Sequence, residues 1–109
     1  MNLQETIEIG RKMDMYGSLL TKKQQQVLNS YVNYNGSISE IAEDLGTTRQ
    51  AVLDIIKRTV AKLDGYEKQM KLCQKLDKIY KNIPKISTKC SLTKEQEQAI
   101  IELVKSMEE

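Results

Sequence analysis

Arg49, Gln50, Lys57 and Arg58 stand close together in a chain of 109 residues, and their side chains are of the kinds that read or hold nucleic acid. A guanidinium pairs bidentately with the guanine edge and a glutamine amide with adenine, while Lys57 or Arg58 can neutralise phosphates. If a helix begins at Thr48 and packs through Val52 and Ile55, helical periodicity turns Thr48, Arg49, Gln50, Leu53, Asp54 and Lys57 outward. These residues, with Arg58, form the candidate nucleic-acid-binding set. Enzyme chemistry has far less to work with. The chain has no histidine, and its five glycines (10, 17, 36, 46, 65) are scattered rather than clustered as a phosphate-cradling loop. Its carboxylates fall mostly at expected helix starts and solvent faces. No catalytic residue, cofactor site or metal site is therefore expected.

Presenting such a face requires two short helices joined by a tight turn. Ser37-Ile-Ser-Glu40 matches a capping box and opens a helix whose inner side carries Ile38, Ile41, Ala42 and Leu45. Where two helices cross steeply a small side chain is needed, which Ala42 supplies; Gly46 turns the chain without steric penalty. The next helix starts at Thr47 or Thr48, either of which can cap. The alternative for this stretch is a plain corner of a helical bundle. Capping boxes also recur at Thr21-Lys-Lys-Gln24 and Thr93-Lys-Glu-Gln96. They predict a helix from Thr21, stopped by Asn35-Gly36, and a last helix over about residues 93–107. A first amphipathic helix is predicted from Glu5 to Leu20, with Ile9, Met13, Tyr16 and Leu20 on one face.

Nothing clearly stops the helix that starts near Thr48 until Asn82 and Pro84, which predicts a long central helix of about 50 Å if continuous. Gly65 is its weak point, so a bend or break there is the alternative. Its apolar stripe (Val52, Ile56, Leu63, Tyr66, Met70, Cys73, Tyr80, Ile83) must be covered by the first helix, the last helix or a second copy of the chain, and a homodimer is expected on that ground. A loop is predicted around Pro84 to Ser91. The tyrosines at 16, 31, 34, 66 and 80 sit mostly on apolar stripes and read as core or interface. Together these elements give an all-α helical bundle of one domain, residues 1–109, with its helix-turn-helix core over about residues 37–63.

A composition of 39% hydrophobic and 29% charged residues is that of a packed globular protein. The net charge of +2 says little about partners, but its distribution is uneven. From Glu67 to Lys89 there are seven lysines (68, 71, 75, 78, 81, 85, 89) against Glu67 and Asp77. This ladder reads either as a phosphate-tracking face or as a solvated one. No run approaches the length of a membrane helix and no leader pattern opens the chain, so it is expected in the cytoplasm with no membrane partner. Cys73 and Cys90 lack metal-ligand spacing; a disulfide is allowed by count, but a cytosolic thiol is usually reduced.

The stretch Ser37 to Leu63 resembles region 4 of bacterial sigma factors, through Ile41-Ala42, Leu45-Gly46 and Thr48-Arg49. The wider chain resembles the YlxM-like family of small bacterial helix-turn-helix proteins. The resemblance rests on Leu19-Leu20-Thr21-Lys22-Lys23-Gln24, Ser39-Glu40-Ile41-Ala42-Glu43, Arg49-Gln50-Ala51-Val52, Ile56-Lys57-Arg58-Thr59 and Leu63-Asp64-Gly65-Tyr66-Glu67. It implies DNA binding, and it implies a link to the signal recognition particle pathway, because family genes lie beside those of its GTPases. The implied partners are DNA or signal recognition particle RNA, or those GTPases themselves through protein docking. The family usually has an aromatic residue where this chain has Leu53, so no stacking role carries over to that position.

Overall fold

A computed structural model describes residues 2–33 and 36–108. Among them six α-helices form and no strand, giving the all-α class. In chain order these are α1 (Leu3–Tyr16), a 3-10 turn (Gly17–Leu19), α2 (Lys22–Val32), α3 (Ile38–Leu45), α4 (Arg49–Met70), α5 (Leu72–Lys89) and α6 (Lys94–Ser106). The chain divides into two compact units, one ending at Met70 and the other beginning at Lys71.

The helix starts follow the local chemistry of their caps. Thr21 and Thr93 form complete capping boxes with Gln24 and Gln96, and Ser37 Oγ accepts from the Glu40 amide at 3.1 Å. Asn2 caps α1 through its side chain, which accepts from the Glu5 amide at 2.8 Å. That helix ends at Tyr16, short of the expected Leu20, because the chain tightens into the 3-10 turn. There Gln25 Nε2 donates to the Gly17 and Leu20 carbonyls, tying the turn to α2. The stop expected at Asn35 falls outside the described residues, as does Tyr34. Gly36 lies half-buried against α2. What its missing side chain provides is space: a Cβ there would lie 2.9 Å from the Ser30 carbonyl oxygen, which accepts the Gly36 amide.

In the first unit α4 is the element against which α1, α2 and α3 all pack. Tyr16, Leu28, Leu63, Val27, Val52 and Thr59 are its most deeply buried side chains. The Thr59 hydroxyl donates back to the Ile55 carbonyl at 2.6 Å, which satisfies it without a partner from another helix. α1 runs alongside α4 in the same direction. Lys12 is paired with Asp64 at 2.7 Å and, one turn further along both helices, the Tyr16 hydroxyl donates to Glu67 Oε1 at 2.6 Å. The Tyr16 and Tyr66 rings also meet there, with centroids 6.0 Å apart. A carboxylate as buried as Glu67 is tolerated because it is hydrogen-bonded.

Two expectations for the central helix are corrected. The helix runs unbroken through Gly65 and instead ends at Met70; Lys71 takes φ 55° and ψ 31°, a left-handed conformation that interrupts the helical ladder. The helix therefore does not continue to Asn82. Pro84 does not stop it either, because α5 carries on through Pro84 to Lys89 and replaces the expected loop. Pro84 itself is exposed, while Ile83 and Ser87 on either side of it are buried in the second unit. Packing of this face offsets the backbone hydrogen bond that proline removes, a cost of about 3 kcal/mol. In that unit α5 packs against α6, Cys73, Ile83, Ser87 and Val104 are buried, and Tyr80 donates to Glu108 at 3.1 Å. Of the apolar stripe, Val52, Leu63, Cys73 and Ile83 are buried, Ile56, Tyr66 and Tyr80 are half-buried, and Met70 at the end of α4 is exposed.

Cys73 is buried and Cys90 exposed, and both are free thiols. They stand at opposite ends of α5, about 25 Å apart from the helical rise, so no bond between them within one chain is geometrically open.

Candidate nucleic-acid interface

The turn between α3 and α4 is built from three consecutive residues with separate tasks. Gly46 sits at φ 64° and ψ 36°, and its amide bonds to the Glu43 carbonyl at 3.1 Å. The Thr47 amide reaches the Ala42 carbonyl at 2.9 Å, so two carbonyls at the end of α3 are satisfied. Thr48, not Thr47, is the cap of α4: its hydroxyl accepts from the Ala51 amide at 3.1 Å and its carbonyl from Val52 at 3.2 Å. A Cβ at Gly46 would meet nothing within 4 Å, so the requirement for glycine is purely conformational. Gly46→Ala should therefore destabilise the protein by about 1–2 kcal/mol, the cost of holding alanine left-handed, as read from urea denaturation.

Below the turn, Val27, Ile41, Ala42 and Val52 form one buried cluster, with Tyr31, Ile38, Leu45, Ile55 and Ile56 packed around it. Val52 has no exposed surface and Ala42 only 4%, so α4 meets α3 through the small residue and the anchor that the sequence singled out. Ile55, the second anchor, is half-buried against the same cluster.

The outward residues fall on α4 as follows. Thr48, Arg49, Gln50, Asp54, Lys57 and Arg58 are all exposed. Gln50 and Asp54 are one turn apart and bonded to each other, with Nε2 donating to Oδ1 at 3.2 Å. This orients the glutamine amide and gives the one acid on the face a hydrogen-bond donor, while leaving its charge in place. Lys57 stands near the middle of this face, and Arg49 and Arg58 lie on its two flanks, about 180° apart around α4. The start of α4 adds the partial positive charge of unbonded helix amides, which favours an anion. Thr48 spends a lone pair on the cap yet keeps its O–H to donate.

Leu53 is placed differently from its neighbours. It is half-buried and lines an open apolar groove with Ile9 of α1, Tyr31 of α2, and Ile56, Val60 and Ala61 of α4. Glu5, Lys57 and Asp64 rim this groove. Sequence reasoning missed both the groove and the Gln50–Asp54 bond. The four-residue spacing could have signalled the bond; no local pattern announces that Ile9 comes to lie beside Leu53.

Among the described residues, no helix is long and apolar enough to cross a membrane. Comparison with known proteins matches residues 3–104 to a family described as "Putative helix-turn-helix protein, YlxM / p13 like". The chain is 37% identical to the UPF0122 protein YlxM of Bacillus subtilis over 110 residues, covering 99% of this chain and all of that protein. It is 39% identical to a UPF0122 protein of Fusobacterium nucleatum over 102 residues, 94% of this chain and 97% of the relative. A UPF0122 protein of Clostridium perfringens is 43% identical over 79 residues, 72% of this chain and 70% of the relative. With the turn at Gly46, the cap at Thr48 and this match along nearly the whole chain, the protein belongs to the YlxM/p13-like helix-turn-helix family.

Proposed function

We propose that the protein binds nucleic acid through the N-terminal half of α4. On this reading Arg49 and Gln50 face base edges, and Thr48, Lys57 and Arg58 hold phosphates. Leu53 and Asp54 set the limits of the reading face: Leu53 offers an apolar contact at its edge, and Asp54 holds Gln50 in position. The observation that carries the reading is the exposure of Arg49, Gln50, Lys57 and Arg58 on one helix that is anchored by Val52 and preceded by a glycine turn. It is a binding function, with no catalytic step. The target is DNA or signal recognition particle RNA.

Amide chemical shifts of labelled protein titrated with a short duplex test the placement. Perturbations centred on Thr48 to Arg58 are expected; perturbations confined to other helices would refute it.

The open groove beside Leu53 favours a second reading, in which the same fold docks onto the signal recognition particle GTPases without nucleic acid. That reading requires a stable complex after nuclease treatment. A nuclease-treated pull-down that recovers neither GTPase eliminates it. Homodimerisation belongs to the same proposal, since Ile79, Ile86, Leu103 and Met107 in the second unit are exposed apolar side chains. Light scattering should report a dimer at micromolar concentration, and a monomer would remove it.

A further inference from the structure

We infer that α5 carries a second, sequence-independent contact surface for the phosphate backbone of double-stranded DNA. Of the seven lysines in the ladder, Lys68 belongs to α4 and Lys71 to the break, while Lys75, Lys78, Lys81, Lys85 and Lys89 all lie on α5. All are exposed. Successive lysines from 75 to 89 are three or four residues apart, which places them in one arc covering roughly a third of the helix circumference. Gln74 and Asn82 are the other polar residues within that arc, and Asp77 lies just beyond its edge, one turn from Lys81 and about 40° around the helix from it. None of the five lysines on α5 has an ion pair among the described residues. The arc is a cationic strip about 21 Å long by helical rise, the length of about six base pairs at 3.4 Å each, with Asp77 the one acid at its margin.

Three features of the strip decide which polyanion it fits. Protein interfaces are depleted in lysine and built around aromatic or arginine anchors, and the arc contains neither. A membrane-surface helix needs a free apolar face to insert, but the apolar face of α5 is occupied: Cys73 and Ile83 are buried and Leu76 and Tyr80 half-buried, leaving only Ile79 and Ile86 exposed at its edge. Single strands are held by stacking on aromatic rings, again absent from the arc. Regularly spaced, flexible point charges without base-reading groups suit a duplex backbone. The choice of B-form DNA over RNA rests on the helix-turn-helix reading of the first unit, whose α4 is shaped for a major groove that A-form RNA closes.

The test is the salt dependence of binding to random-sequence duplex DNA, measured for the full chain and for K75Q/K78Q/K81Q/K85Q. Glutamine keeps a helix propensity close to that of lysine, and far-UV circular dichroism verifies the fold. The slope of log affinity against log salt should become shallower by about 2–4, because each phosphate contact contributes about 0.9. The matching arginine variant, K75R/K78R/K81R/K85R, should keep the original slope and shows whether charge, rather than altered folding, is the cause. R49A/K57A is measured beside it. If only that variant weakens binding, the α4 reading stands and the α5 surface is overturned; if only the glutamine variant does, the reverse holds. A loss of binding to phosphatidylserine vesicles with DNA binding untouched would also overturn the proposal and make the strip a lipid contact.

Discussion

Leu63→Ala should lower stability by about 2–5 kcal/mol, a large fraction of the about 5–15 kcal/mol that keeps a typical domain folded. Leu63 has no exposed surface and lies on α4, the helix against which α1, α2 and α3 pack. Removing its side chain leaves a cavity that rigid helices cannot easily close. Two neighbours limit the collapse further: Thr59, one turn before it, and Glu67, one turn after, are themselves buried and hydrogen-bonded. Loss of unfolding cooperativity or a fall in the urea midpoint would register the effect. A change below about 1 kcal/mol would mean that α4 is not the centre of the core.

The largest functional effect is expected from Arg49→Ala combined with Lys57→Ala. Both side chains are exposed, and neither carries core packing, so the fold should be unaffected. Losing a bidentate arginine contact costs about 1–3 kcal/mol, and losing one phosphate contact makes the salt slope shallower by about one unit. Together they should reduce affinity for a specific duplex roughly a hundredfold at moderate salt, by the same magnitudes. The single variants divide the effect by kind. Arg49→Ala should relax base preference, whereas Lys57→Ala should weaken all sequences alike.

Features governed by nearest neighbours were legible in the sequence. The caps at Thr21, Ser37 and Thr93 need only a hydroxyl and an amide three residues on, and all three form; the reciprocal bond of a capping box is present at Thr21 and Thr93, while Ser37 shows only the hydroxyl half. Gly46 was legible for the same reason, since a left-handed residue between two helices is a local demand. The outward placement of Thr48, Arg49, Gln50, Asp54, Lys57 and Arg58 shares that property, being set within one turn and the first half of one helix, whereas Leu53 is half-buried. What failed was the prediction of breaks. Glycine at 65 and proline at 84 are weak or strong helix breakers in isolation, yet both lie inside helices here. The actual interruption falls on Lys71, a residue type with good helix propensity. Pairings across long stretches of chain were hidden as well. Tyr16 on Glu67 and Lys12 on Asp64 depend on α1 lying along α4, which periodicity within either helix does not encode.

Fluorescence anisotropy of the purified chain against random duplex DNA and signal recognition particle RNA, titrated with salt, tests the central claim most directly. The account predicts binding to at least one of them that weakens steeply and linearly on a log–log plot as salt rises. Folded protein that binds neither at low salt would contradict it and leave protein docking as the function of the fold.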